Sequence, residues 1–159
     1  MMRTLFLIGL LALGEPALAA APTRLTEPAV RDFVGRQSKA WNAGDLGRYF
    51  ALFAPGATFT DQGRAKDGRV VPYGTSTLAE ARAQTRRARA KSKVAETTLI
   101  SRIEIAPDGR SARVVAGEQI VLTTAGRARH LCAERVQTLI ATPAGLRSKG
   151  QTDTYGPCR

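Results

Sequence analysis

The sequence predicts an α+β fold, with three helices in the N-terminal half and a long antiparallel sheet after them. Three observations carry this. As far as about Lys91, apolar residues recur at helical spacing behind capping residues. Beyond it, four alternating segments are joined by hairpin signals at Asp108-Gly109, Ala125-Gly126 and Pro143-Ala144-Gly145. Within the first half, Trp41 to Asp61 runs from the end of one helix through a Gly-Asp break, a short helix and a Pro-Gly turn to a strand ending in a carboxylate.

The chain begins with a leader pattern. Met1 to Arg3 are weakly positive, Thr4 to Leu13 form an apolar run, and Ala17-Leu18-Ala19 supplies small residues suited to a signal peptidase. Residues 1–20 are therefore expected to be a signal peptide cleaved near Ala19 to Ala21, placing the mature protein in the periplasm or outside the cell. One domain over residues 26–159 is expected to follow.

Thr26 can cap a first helix from Glu27 to about Ala43, with Pro28 tolerated in its first turn. Val30, Phe33, Val34, Gln37, Ala40 and Trp41 share its inner face, Gln37 being the polar exception. Gly44 stops that helix and Asp45 caps a second, whose stripe is Leu46, Tyr49, Phe50 and Phe53 and whose end is set at Pro55-Gly56. Ala57, Phe59 and Asp61 alternate with Thr58 and Thr60 along a short strand. Gly63, Gly68, Pro72 and Gly74 predict a loop from Gln62 to Gly74. Thr77 and Glu80 form a capping box that opens the third helix, with Leu78, Ala81, Thr85 and Ala88 inward and Arg82, Arg86, Arg89 and Lys93 outward.

Two-residue turns set the strand register: Ile103 opposite Val114, Ile120 opposite Leu131, Leu139 opposite Gly150. One sheet face then carries Leu99, Ile103, Ile105, Val114, Glu118, Ile120, Leu122, Leu131, Ala133, Arg135, Gln137 and Leu139. On this apolar face Glu118 and Arg135 are diagonal neighbours within reach of an ion pair.

Composition narrows the chemistry. The single histidine, His130, removes most zinc and histidine-triad mechanisms and falls on the opposite sheet face. No phosphate loop, dinucleotide glycine motif, nucleophile elbow or paired metal-ligand spacing occurs, so neither cofactor nor metal is expected. In an exported chain, two cysteines suggest one disulfide, Cys132 to Cys158, with Cys132 opposite Pro157. The net charge of +11 favours weak, non-specific association with anionic surfaces. The basic stripe lacks the interleaved aromatics of a single-strand binder, so no specific nucleic acid is expected.

The segment Trp41 to Asp61, with the helix-helix-strand-helix-sheet order around it, resembles the nuclear transport factor 2-like superfamily, which includes ketosteroid isomerases and polyketide cyclases. The resemblance covers nearly the whole mature chain. It implies a cone-shaped, curved antiparallel sheet with the helices packed on its concave face around a pocket. Ketosteroid isomerases carry their catalytic Asp in a segment of the form Ala-Thr-Val-Glu-Asp; this chain reads Ala57-Thr58-Phe59-Thr60-Asp61, which matches Asp61 to the base. Their helix-borne tyrosine falls at or near Gln37 and their second acid near Val136, so both donors that stabilise an oxyanion differ here.

The candidate ligand-binding residues are Gln37, Trp41, Tyr49, Phe53, Phe59, Asp61, Glu118 and Arg135. The expected function is to hold a small apolar or weakly acidic molecule without catalysis. One alternative is an isomerase- or cyclase-like enzyme with Asp61 as base and Arg135 stabilising the anion. Another is an interaction module that forms a homodimer through the sheet or meets an anionic surface. Asp61 could equally cap the following loop, Glu118 and Arg135 could simply bridge two strands, and Gln37 could satisfy a nearby backbone group.

Overall fold

Thr26 starts α1 (Glu27–Asn42) by accepting the Ala29 N–H on its hydroxyl at 3.4 Å, with Pro28 in the first turn. The computed structural model describes residues 24–158, and the expected signal peptide over residues 1–20 lies outside them. Val30, Phe33, Val34, Gln37 and Ala40 form the buried stripe of α1. Gly44, at φ +70°, reverses the chain in a conformation that favours glycine. Asp45 then caps α2 (Leu46–Ala51) by accepting the Arg48 N–H at 2.9 Å.

The second helix ends earlier than expected. Leu52 caps it, and β1 (Phe53–Arg64) begins at once, so Pro55-Gly56 lies inside the strand. Pro55 has no N–H to give a ladder, and it falls where the pairing with the last strand is interrupted, between Phe53 and Thr58. The loop expected over Gln62 to Gly74 is also corrected. β1 continues to Arg64, turns through Gly68 at φ +85°, and returns as β2 (Val70–Thr77). Pro72 and Gly74 are tolerated because β2 is the sheet's edge strand. α3 (Leu78–Arg89) opens on the expected capping box, the Thr77 N–H donating to Glu80 Oε2 at 2.8 Å and the Glu80 N–H to the Thr77 hydroxyl at 3.3 Å.

The chain continues as β3 (Ser92–Ile105), β4 (Ser111–Thr124), β5 (Arg127–Thr142) and β6 (Gly145–Gly156). The six strands form one open sheet in the order β2-β1-β6-β5-β4-β3. The β1–β6 pair is parallel and the other pairs are antiparallel. Ile103 faces Val114 and Ile120 faces Leu131, as the first two turns require.

Two bulges change the rest of the register. The third turn closes on Thr142 and Gly145, and a shift follows between Gln137 and Leu139; Leu139 therefore faces Ser148 rather than Gly150, and Cys132 faces Gly156 rather than Pro157. A second shift, between Ile100 and Arg102, reverses the first half of β3. Leu99, expected inside, is 57% exposed, and Val94, Glu96, Thr98 and Ile100 take the inner face. Ile105, near the strand end, is also exposed. Cys132 and Cys158 still meet as a disulfide, with Cα atoms 5.1 Å apart.

The helices bury two groups of side chains against one sheet face. Leu25, Val30, Phe33, Val34, Ala112, Val114, Leu139 and Leu146 form an aliphatic cluster under α1. Ala40, Tyr49, Phe50, Phe53, Ala57 and Ala81 form an aromatic one, with Trp41 and Phe59 packed on it. Among the described residues no helix is long and apolar enough to cross a membrane.

Candidate functional site

Three neighbouring strands place a row of charge across the inner sheet face. Asp61 on β1 is the register partner of Asp153 on β6, and Asp153 is the register partner of Arg135 on β5. Arg135 Nε donates to Asp153 Oδ1 at 2.7 Å and its Nη2 to Oδ2 at 3.2 Å, a two-point clamp suited to the planar guanidinium. Its Nη1 donates to Glu96 Oε1 at 2.9 Å and lies 3.1 Å from Glu118 Oε1. The Glu118–Arg135 diagonal expected from the register is thus one arm of a larger cluster. Glu96, Glu118 and Asp153 are all buried.

Burial of so much charge shifts the acids. Glu118 is pushed up to about 8, first by burial and then by Glu96 and Asp153, while Arg135 and the Thr98 hydroxyl, which donates to its Oε2 at 2.8 Å, pull it back. Burial pulls Arg135 down, but the surrounding carboxylates outweigh it and hold the guanidinium well above its ordinary value. Asp61 is raised by burial and then by Asp153, against the opposing pull of Tyr155 and Arg135. The Tyr49 and Tyr155 hydroxyls are raised by burial. Tyr49 donates to Gln151 Oε1 at 3.2 Å, and Gln151 Nε2 donates to Asp153 Oδ2 at 2.8 Å, tying the aromatic cluster to the charged row.

The row forms one wall of a cavity of about 270 Å³. Of the residues expected to bind a ligand, Trp41, Tyr49, Phe59, Asp61 and Arg135 line it. Phe53 stands behind, its ring 4.7 Å from that of Phe59. Gln37 and Glu118 do not reach the cavity; with Gln137 they line a separate void of about 10 Å³ on the α1 side of Arg135, the size of one water. Arg89, expected on the exposed stripe of α3, instead folds inward. Its guanidinium lies 4.3 Å above the Trp41 ring and donates to the Trp41 carbonyl at 2.6 Å.

The sequence reading missed Glu96, Gln151, Asp153 and Tyr155. Each is hidden by a bulge. The expected third turn sets Thr154 against Arg135, which would point Asp153 and Tyr155 outward. A straight β3 points Glu96 outward in the same way. One signal was available: an inward arginine on an apolar face needs acidic partners, and Asp153 stands one residue from the position opposite it.

No protein-family profile matches the sequence, and no curated protein matches it. Solved structures do. A conserved protein of Planctomyces limnophilus superposes with a TM-score of 0.69 at 16% identity, over 83% of this chain and 97% of that one. A ketosteroid isomerase-like protein of Erwinia carotovora atroseptica gives 0.64 at 10% identity, over 84% and 100%. A nuclear transport factor 2-like protein of unknown function from Shewanella oneidensis gives 0.58 at 14%, over 80% and 97%. At such identities the likeness concerns the fold, and the fold is nuclear transport factor 2-like.

Proposed function

We propose that this protein is exported and binds a compact, chiefly apolar small molecule in the cavity without turning it over. The observation that carries the reading is the cavity itself, lined by the aromatic rings of Trp41, Tyr49, Phe50 and Phe59 together with the Asp61–Asp153–Arg135 row. Its volume lies just under the range of drug-sized sites, roughly 300–1,000 Å³, which suits a ligand of one or two rings. Arg135 argues against the weakly acidic ligand and against its own role as anion stabiliser. Its charge is already matched by Glu96 and Asp153, so it offers no net positive field to an enolate or a carboxylate.

The second reading, a proton-abstracting enzyme, is favoured by one feature: Asp61 faces the cavity with its carboxyl raised, as a general base requires. Isomerisation of a β,γ-unsaturated ketone separates the two readings. The binding reading expects background rates from the wild type and from Asp61→Asn alike, together with a small molecule retained through purification and released on denaturation, detectable by native mass spectrometry. Turnover that Asp61→Asn abolishes at unchanged thermal stability would establish the enzyme instead.

A further inference from the structure

We infer that the ligand carries a protonated amine, which pairs with Asp61 while its apolar body lies against Phe50, Phe59, Ile120 and Leu131. This rests on the reading of the cavity as a small-molecule site and adds the chemical class. Charge is unevenly matched along the wall of this open cavity, at whose mouth Asp61 is exposed while Glu96 and Asp153 are buried. Asp61, Glu96 and Asp153 are the acidic side chains that line the cavity, and Arg135 is the basic one. Arg135 is clamped by Asp153 and bonded to Glu96. Arg89, held over Trp41, adds a second positive charge on the Glu96 side. The two cations thus stand among Glu96, Glu118 and Asp153, and neither is left for the carboxylate of Asp61.

Asp61 also sits in an unfavourable place. Its parallel neighbour on β6 is another carboxylate, and like charges on facing register positions repel. Among the described residues, no lysine or arginine comes within ion-pair distance of it, and its strand partner on β2 is Gly74. An ammonium bound at Asp61 would relieve that repulsion and lie close to the aromatic wall, whose ring faces attract cations. A carboxylate ligand meets the opposite field. The exposed arginines at the tip of the β4–β5 hairpin, Arg127 and Arg129, are screened by solvent and do not alter the balance at the wall.

The test is calorimetric titration of the full chain near neutral pH with three probes of matched shape: phenethylamine, phenethyl alcohol and hydrocinnamate. The amine should bind roughly tenfold more tightly than the alcohol, as a charge-assisted hydrogen bond provides, and hydrocinnamate most weakly. Asp61→Asn should erase the amine's advantage over the alcohol, bringing the two affinities to within about twofold of each other. An alcohol that binds as well as the amine, or a hydrocinnamate that binds best, would overturn the amine assignment and leave the small-molecule site standing. An amine advantage that survives Asp61→Asn would equally overturn it. If none of the three binds, the small-molecule reading itself falls, and the inference with it. The wild-type ranking needs no variant and so decides the question even if Asp61→Asn folds poorly.

Discussion

Under α1 the inner face of the sheet is closed by Val30, Phe33, Val114 and Leu139, each fully buried and none charged. Toward the C-terminal end of α1 and under α2 and α3 the same face buries Glu96, Glu118 and Asp153 around Arg135 and opens into a cavity. The first region follows the ordinary rule that apolar residues fill the interior. The second breaks it, and a buried ion cluster is weak evidence for stability, since well-packed apolar residues can often replace one without loss. What holds the fold and what shapes the cavity are therefore different residues. Departures from local consistency of this kind concentrate at functional sites.

Removing the single hub of the polar region should have the largest effect. Arg135→Met leaves Glu96 and Asp153 buried without a counter-charge and should cost about 3–5 kcal/mol. Leu139→Ala, its counterpart in the dry region, should cost about 2–5 kcal/mol through lost packing. Magnitude alone does not separate them, but pH does. In chemical denaturation the Arg135→Met penalty should shrink as pH falls and the stranded carboxylates take up protons, whereas the Leu139→Ala penalty should stay constant. A pH-independent Arg135→Met penalty would mean that the charges are not what the cluster contributes.

The polar region also carries the covalent link. Cys132 and Cys158 bracket 26 residues of separation and tie the end of β6 to β5 beside Tyr155. Replacing both with serine should cost about 3 kcal/mol. The loss should be uneven, with faster hydrogen exchange at the end of β6 and little change around Val114 and Leu139. Uniform loss of protection would show the two regions to be one cooperative unit.

The two regions were unequally legible in the sequence. The dry one follows from periodicity and caps: the stripe of α1, the capping box at Thr77 and the first two hairpin turns are local signals, and local physics decides them. The polar region depends on which way each strand residue points, and a single inserted residue reverses that. Ser101 and the Thr138 region carry such insertions, with nothing in their composition to announce them. Arg135 and Glu118, between the bulges, were read inward, while Glu96, Asp153 and Tyr155, beyond them, were not. The β1–β2 hairpin was hidden differently, since Pro72 and Gly74 read as breakers although an edge strand accommodates both.

Glu118 should impose a pH dependence that the dry region lacks. Its carboxyl is raised from an ordinary value near 4.5 to about 8, so across that window the folded chain holds a proton that the unfolded chain has released. The sign follows: the unfolded state binds fewer protons, and stability falls as pH rises from about 4.5 to 8. The contribution is fully present below the unfolded value and lost above the folded one, with an amplitude of up to about 5 kcal/mol over the window. Asp61, also raised, tilts the curve the same way. Glu118→Gln, neutral and of the same shape, should match the wild type at mildly acidic pH and exceed it in stability above pH 8. A wild-type curve flat from pH 5 to 9 would place the proton elsewhere in the cluster.

Arg89 gives the smallest effect and marks where the cavity region ends. Sequence spacing groups it with Arg82 and Arg86 as a solvated stripe, but its guanidinium covers Trp41, while Arg82, Arg86 and Arg87 stay exposed. Arg89→Ala should therefore cost about 1–2 kcal/mol, from the cation–π contact and the hydrogen bond to the Trp41 carbonyl. Because Trp41 is the sole tryptophan, its emission should shift to longer wavelength as solvent reaches the ring. Weak retention on heparin, by contrast, should fall with salt and drop when Arg82, Arg86 and Arg87 are replaced together, yet change little with Arg89→Ala. If Arg89→Ala lowers heparin retention as much as that triple replacement and leaves Trp41 emission unmoved, Arg89 belongs to the outer surface. The cavity would then lose one of its two neighbouring cations, and the charge balance that isolates Asp61 would have to be drawn again.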